Sequence, residues 1–221
     1  MLDRRQIGRI AVAAALACVV VAPAMGDDVD RISPKAERLL HFYDSLGVES
    51  RWPAGVHVNW ETGAPDDVPE RLPGAHTHCS AFAGSVAKQL GIYILRPPEH
   101  GQVLLANAQL AWLETAGAGA GWQSLPDAAS AQAAANKGLF VVASYRNHNA
   151  AKPGHIAIVR PSTKPVEALT VEGPDVTQAG LHNYTSTTLA KGFAGHPYAW
   201  IKAREVRFYA HDWDGKIVPL G

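Results

Sequence analysis

Cysteine is the scarcest chemistry-bearing residue in this sequence: there are two, Cys18 and Cys79. Cys18 lies inside an apolar N-terminal run, so a disulfide framework is excluded as the basis of the fold. Lysine and arginine form no cluster outside the extreme N-terminus, which argues against nucleic acid and anionic lipid as partners. No HExxH pair occurs, so a helix-borne zinc site of that kind is excluded. Internal repeats are lacking, and the only low-complexity stretches are two Ala/Gly-rich patches, which excludes a solenoid.

What remains is a globular composition. The chain has 221 residues, of which 47% are hydrophobic. That length can bury a sizeable core without disulfides or a structural metal. Residues 1–26 read as a secretory signal peptide: Arg4, Arg5 and Arg9 precede an apolar run from Ile10 to Val21, and Ala24-Met25-Gly26 offers small residues for cleavage. The run is too short for a comfortable membrane span, so no stable insertion is expected after cleavage. Three of the 20 basic and one of the 20 acidic side chains lie in that segment, leaving 17 and 19, a formal charge of −2. Residues 27–221 are expected to form one domain, with the chemistry in a core from about residue 77 onward, located in the periplasm or outside the cell.

Cleavage would remove Cys18 and carry one unpaired thiol, Cys79, into an oxidising compartment. A lone cysteine with histidines elsewhere is a candidate nucleophile, although an inert buried cysteine is the commoner case. The local pattern separates the two. Thr77 is a plausible helix N-cap; Cys79, Phe82, Ala83, Val86 and Leu90 then fall on one face, and Gly91 ends the run. Cys79 therefore stands in the first turn. Unpaired N–H groups there favour negative charge, and lower a thiol from its usual value of about 8.5. The same groups would stabilise an oxyanion.

Other elements frame this helix. Ser33-Pro34 caps a helix carrying Ala36, Leu39, Leu40, Tyr43 and Leu46, and Gly47 stops it. Residues 49–75 read as a long, partly ordered loop. Helices are expected over Leu104–Thr115 and from Asp127 to Gly138. Strands are expected over Leu139–Tyr145, His155–Val159, Ala168–Glu172 and Glu205–His211. Helices first and strands afterwards predict an α+β domain, its N-terminal helices packed on an antiparallel sheet.

His155 follows the Pro153-Gly154 turn and shares a strand face with Ala157 and Val159, a small apolar surface suited to receiving the cysteine helix. It is the candidate base. A third group should fix its tautomer. Glu172 at the end of the next expected strand is the first choice, with Gln178 and Asn183 as alternatives. His78 and Ser80, which flank the nucleophile, and Trp60 are candidate substrate-binding residues.

Cys79-Ser80-Ala81-Phe82 on a helix, a valine-rich strand and Gly154-His155-Ile156-Ala157-Ile158-Val159 together resemble the papain-like cell-wall hydrolases, namely the CHAP amidases and their NlpC/P60 relatives. Asn107, Trp112 and Gly121-Trp122 add to the resemblance, which spans roughly residues 77–174. It implies a papain-like fold and cleavage of amide bonds in peptidoglycan peptides by a Cys-His-Glu triad, without cofactor or metal. An antibacterial role would add a dedicated inhibitor protein as partner. The chain departs from NlpC/P60 at His78, where Asp or Asn is usual, and from CHAP at Ser80, where Thr or Tyr is common. Amidase and endopeptidase both stay open. Two other readings compete: a metal site from His76, His78, Cys79 and His155, and a non-catalytic wall-binding module lined by some of the six Trp and six Tyr.

Overall fold

A computed structural model describes residues 31–66 and 78–219. The expected signal peptide, Thr77 and His76 lie outside the described residues.

Helices come first along the described residues. In α1 (Pro34–Ser45) the Ser33 hydroxyl accepts from the N–H of Ala36 at 3.2 Å, and Pro34 occupies the first turn. Gly47, at φ 59°, turns the chain into the short α2 (Val48–Arg51). The described part of the loop after α2 carries one bridge, pairing Val58 and Pro65. α3 (Cys79–Gln89) and α4 (Leu105–Thr115) follow, then a 3-10 turn over Gly117–Ala120. In α5 (Ala128–Asn136) Asp127 caps as expected, its carboxylate accepting from Ser130 N–H at 2.7 Å.

Six antiparallel strands form one sheet: β1 (Gln123–Leu125), β2 (Phe140–Tyr145), β3 (His155–Val159), β4 (Asp175–Gln178), β5 (Tyr184–Thr188) and β6 (Arg207–His211). Their spatial order is β1-β6-β2-β3-β4-β5. Strand alternation divides the core. On one face Phe140, Val142, Ile156 and Ile158 pack with Leu39, Tyr43, Phe82, Val86 and Leu110 of α1, α3 and α4. On the other, Val141, Ala143, Ala157 and Val159 pack with α5 and with Leu189 and Phe193. The domain is thus α+β as expected, but helices cover both faces. Arg160 joins the sheet to α1 through Asp44, 2.6 Å away.

Two expectations are corrected. Residues 168–172 are not a strand: they belong to α6 (Val166–Glu172), which buries only Leu169. Proline at the N-cap and Gly173 at φ 71° bracket one short helical stretch, and Thr170 bonds back to the Val166 carbonyl at 3.0 Å. The cysteine helix also packs on the other side of β3. It meets Ile156 and Ile158, whereas Ala157 and Val159 face α5 and the last short helix, α7 (Leu189–Gly192).

Candidate active site

Cys79 is the first residue of α3, and its side chain is 2% exposed. The expected amphipathic stripe is present, but nearly the whole helix is buried, because Ser80, Ala81, Gly84, Ser85 and Ala87 are small enough to admit neighbours on every side. Burial pushes the Cys79 thiol above its ordinary value. The N–H groups of Ile156, Ser80 and Cys79 itself and the Ser80 hydroxyl oppose that rise. The expected net lowering is therefore overturned: desolvation outweighs the helix terminus, and the resting group is a thiol. The Ile156 N–H locates the sulfur at the start of β3, one residue past His155 in sequence.

His155 is positioned from three sides. Before it, Gly154 has no alternative: a Cβ there would lie 2.1 Å from the Tyr145 carbonyl oxygen and 2.5 Å from Asn107 Oδ1. Asn107 clips the same turn, accepting from the Asn147 N–H at 3.2 Å and donating to the Lys152 carbonyl at 2.9 Å. Above, the edge of Phe193 meets the imidazole at 4.6 Å between centroids, and His196 stacks on it at 5.7 Å. Beside it, His155 Nε2 lies 2.8 Å from Gln178 Oε1.

That last bond assigns the tautomer. The Gln178 NH2 donates to the His182 carbonyl at 3.1 Å, so its oxygen must face the imidazole. An oxygen can only accept, so Nε2 carries the proton and Nδ1 keeps its lone pair. Burial holds His155 down at about 4 in spite of the raising effect of Gln178. Burial and the neighbouring His155 bring His196 to about 4 as well. Cys79, His155 and Gln178 line one cavity of about 300 Å³.

The sequence-predicted third residue is corrected. Glu172 ends α6, half exposed, 3.2 Å from Lys164 Nζ, while Gln178 holds the imidazole. Asn183 ties the loop instead, donating to the carbonyls of Val48 and Trp52 and accepting from the Gly180 N–H. The expected substrate residues do not line this cavity. His78 and Ser80 are buried, the Ser80 carbonyl taking a bond from Gln109 at 3.0 Å. Trp60 packs on Gly84, with Lys88 and Arg96 against its ring, away from the cavity.

Sequence reasoning missed His196, Phe193 and two glycines. A Cβ on Gly192 would lie 2.5 Å from Gln178 Oε1, and one on Gly180 would lie 3.4 Å from His155 Cε1. A usable signal existed: Gly173-Pro174 stops α6, and Val176 and Gln178 then alternate as on a strand. Among the described residues no group of three His, Cys, Asp or Glu is placed to hold a metal ion, and no helix is long and apolar enough to cross a membrane. Comparison with protein-family models and with curated proteins finds no match to this chain.

Proposed function

We propose that the chain is an exported, papain-like thiol hydrolase that cleaves amide bonds in peptidoglycan peptides. The observation that carries the reading is the Gln178 bond to His155 Nε2, which leaves Nδ1 as a base in the cavity that Cys79 lines. An inert core cysteine requires neither an oriented imidazole nor a cavity. The wall-peptide substrate rests on the resemblance at Cys79–Phe82 and Gly154–Val159. Export rests on the pattern of residues 1–26, and an inhibitor protein belongs to the proposal only for an antibacterial enzyme.

Thiol and imidazole both rest neutral, since burial raises one and lowers the other. Proton transfer therefore accompanies attack. As Sγ bonds to the carbonyl carbon, its proton passes to His155 Nδ1 and the carbonyl π pair moves onto oxygen. The N–H groups of Cys79, Ser80 and Ile156, gathered around the sulfur, become most valuable once that charge forms. Collapse of the adduct breaks the C–N bond, and the imidazolium gives its proton to the departing nitrogen. Water then adds to the thioester with His155 as base, releasing the acid and restoring the thiol. Gln178 orients the ring throughout and exchanges no proton.

Mass spectrometry of purified peptidoglycan treated with the mature enzyme tests this reading. New amino and carboxyl termini should appear, their position deciding between amidase and endopeptidase, and they should be missing with Cys79→Ala. Unchanged muropeptides with a reduced Cys79 would count against a wall hydrolase.

A further inference from the structure

The cavity carries one ammonium that its proposed catalytic residues do not require. His155, Gln178, His182, Tyr184, Lys191 and His196 contribute side chains to the cavity, and no Asp or Glu among the described residues lines it. The absence of carboxylates from the lining is the local feature. It continues next door. A second cavity of about 420 Å³ shares Pro153, Gly195 and His196 with the first and adds Lys152, again without a lining carboxylate. Its His148 is bound to Glu205, 2.5 Å away, which faces it from outside.

Lys191 is the group to explain. Lys35, Lys88, Lys164 and Lys216 each pair with a carboxylate. Lys137, Lys152, Lys191 and Lys202 have none among the described residues; of these the exposed Lys191 is the one that lines the cavity with His155, its Nζ over the Tyr184 ring, 4.9 Å from the centroid. Its backbone is fixed at α7, where its N–H donates to the Thr188 hydroxyl at 3.2 Å. The ring holds the cation at the cavity without neutralising it.

We propose that the cleft selects substrates bearing a free carboxylate near the scissile amide, and that Lys191 receives it. This rests on the thiol-hydrolase reading but names the recognised group, a carboxylate on either side of the bond. A concavity that carries an ammonium and no carboxylate concentrates anions.

Alkylation of Cys79 tests this without turnover, and so fails separately from the hydrolase reading. Rates with iodoacetate, an anion, and iodoacetamide, its neutral analogue, are read on the Cys79 peptide by mass spectrometry. The iodoacetate-to-iodoacetamide ratio should fall about fivefold in Lys191→Gln, return in Lys191→Arg and stay unchanged in Lys137→Gln, a charge change on the exposed end of α5. A ratio unmoved in Lys191→Gln, an equal fall in Lys137→Gln, or a Cys79 inert to both reagents overturns the proposal. A second arm compares native wall peptides with peptides whose carboxylates have been converted to carboxamides on one side of the bond or the other. Wild type should cleave one amidated form several-fold more slowly, and Lys191→Gln should treat it like the native peptide. Equal cleavage of all forms by wild type overturns carboxylate selection. No cleavage of any form, with the alkylation ratio moving as expected, sinks the hydrolase reading and keeps the anion-selective cleft.

Discussion

The two walls of the cleft are made in opposite ways. Cys79 belongs to a helix enclosed on nearly all sides by core, so packing fixes its position and leaves the sulfur little latitude. His155 and Gln178 stand at strand ends, held by turns and by glycines whose missing Cβ atoms make room for them. The proposed nucleophile thus takes its geometry from the core of the domain. The base takes its tautomer and orientation from local contacts, and those are easier to alter without unfolding the chain. Substitutions on the two walls should differ accordingly. Cys79→Ala removes the attacking atom and should cost about ten-thousand-fold or more in kcat, while far-ultraviolet circular dichroism stays unchanged. His155→Ala should cost about as much, and the double variant little more, because neither group works without the other. A folded Cys79→Ala retaining wild-type turnover would break the comparison outright.

The loop-built wall should yield graded losses. Gln178→Ala frees the imidazole without removing it, and displacement of a catalytic group by an ångström or so costs up to about a hundredfold. Gly192→Ala should approach that loss from a distance, because its new methyl would collide with Gln178 Oε1. Steady-state kinetics should show the fall in kcat rather than KM for both. Wild-type turnover in Gly192→Ala would mean that Gln178 does not have to stand where it does.

How much of this was legible in the sequence follows the same division. Caps written in a few adjacent residues were readable: Ser33-Pro34, Asp127 and the glycines after the helices all act as expected. The Cys79 helix and the strand opening at His155 were readable from short-range pattern and punctuation. Three features were not, because contacts distant in sequence decide them. The heptapeptide Val166–Glu172 satisfies both a short helix and a short strand, and one buried leucine decides little. Which face of β3 receives α3 depends on helices that arrive from both ends of the chain. Gln178, an alternative in the sequence, reaches His155 from the end of β4, whose pairing with β5 shifts register between Val176 and Gln178. Such a bulge re-aims a side chain, and composition gives no sign of it.

Acid should act on the base wall before it acts on the nucleophile wall. An imidazole ordinarily titrates near 6.5, and His155 does so at about 4 in the fold. Between those values the unfolded chain binds a proton that the folded chain refuses, so stability falls as pH drops through that window and levels off below it. The full cost is about 3 kcal/mol for this buried ring, and His196 acts in the same direction. Urea midpoints at pH 7, 5.5 and 4 should fall more steeply for wild type than for His155→Gln. In the same experiment kcat/KM should hold nearly flat down to about pH 5 and halve near pH 4. Gln178→Glu should move that limb upward, since a carboxylate beside the ring favours its protonated form. An acid limb centred at 6.5 in wild type would mean that the imidazole is solvated and that the cavity does not control it.

The smallest effect is expected at the residue that sequence pattern favoured for the third role. Glu172 ends α6 with its carboxylate half exposed and paired to Lys164, which also bonds Asp175 at 2.5 Å. Removing it leaves Lys164 a closer partner, so no buried charge is stranded. A pair exposed on its carboxylate side, whose lysine keeps a second partner, is worth about 0–1 kcal/mol. Glu172→Ala should therefore leave kcat and KM within about twofold of wild type and the urea midpoint nearly unmoved. The control is Glu172→Lys, which places two ammonium groups side by side: it should lower the midpoint by a comparably small amount and still spare kcat. Both outcomes follow from the placement of Glu172 and not from its chemistry, because a carboxylate is as able as an amide to orient an imidazole. A large fall in kcat for Glu172→Ala at unchanged stability would therefore mean that the carboxylate reaches His155 during turnover, and that Gln178 holds the ring only between reactions.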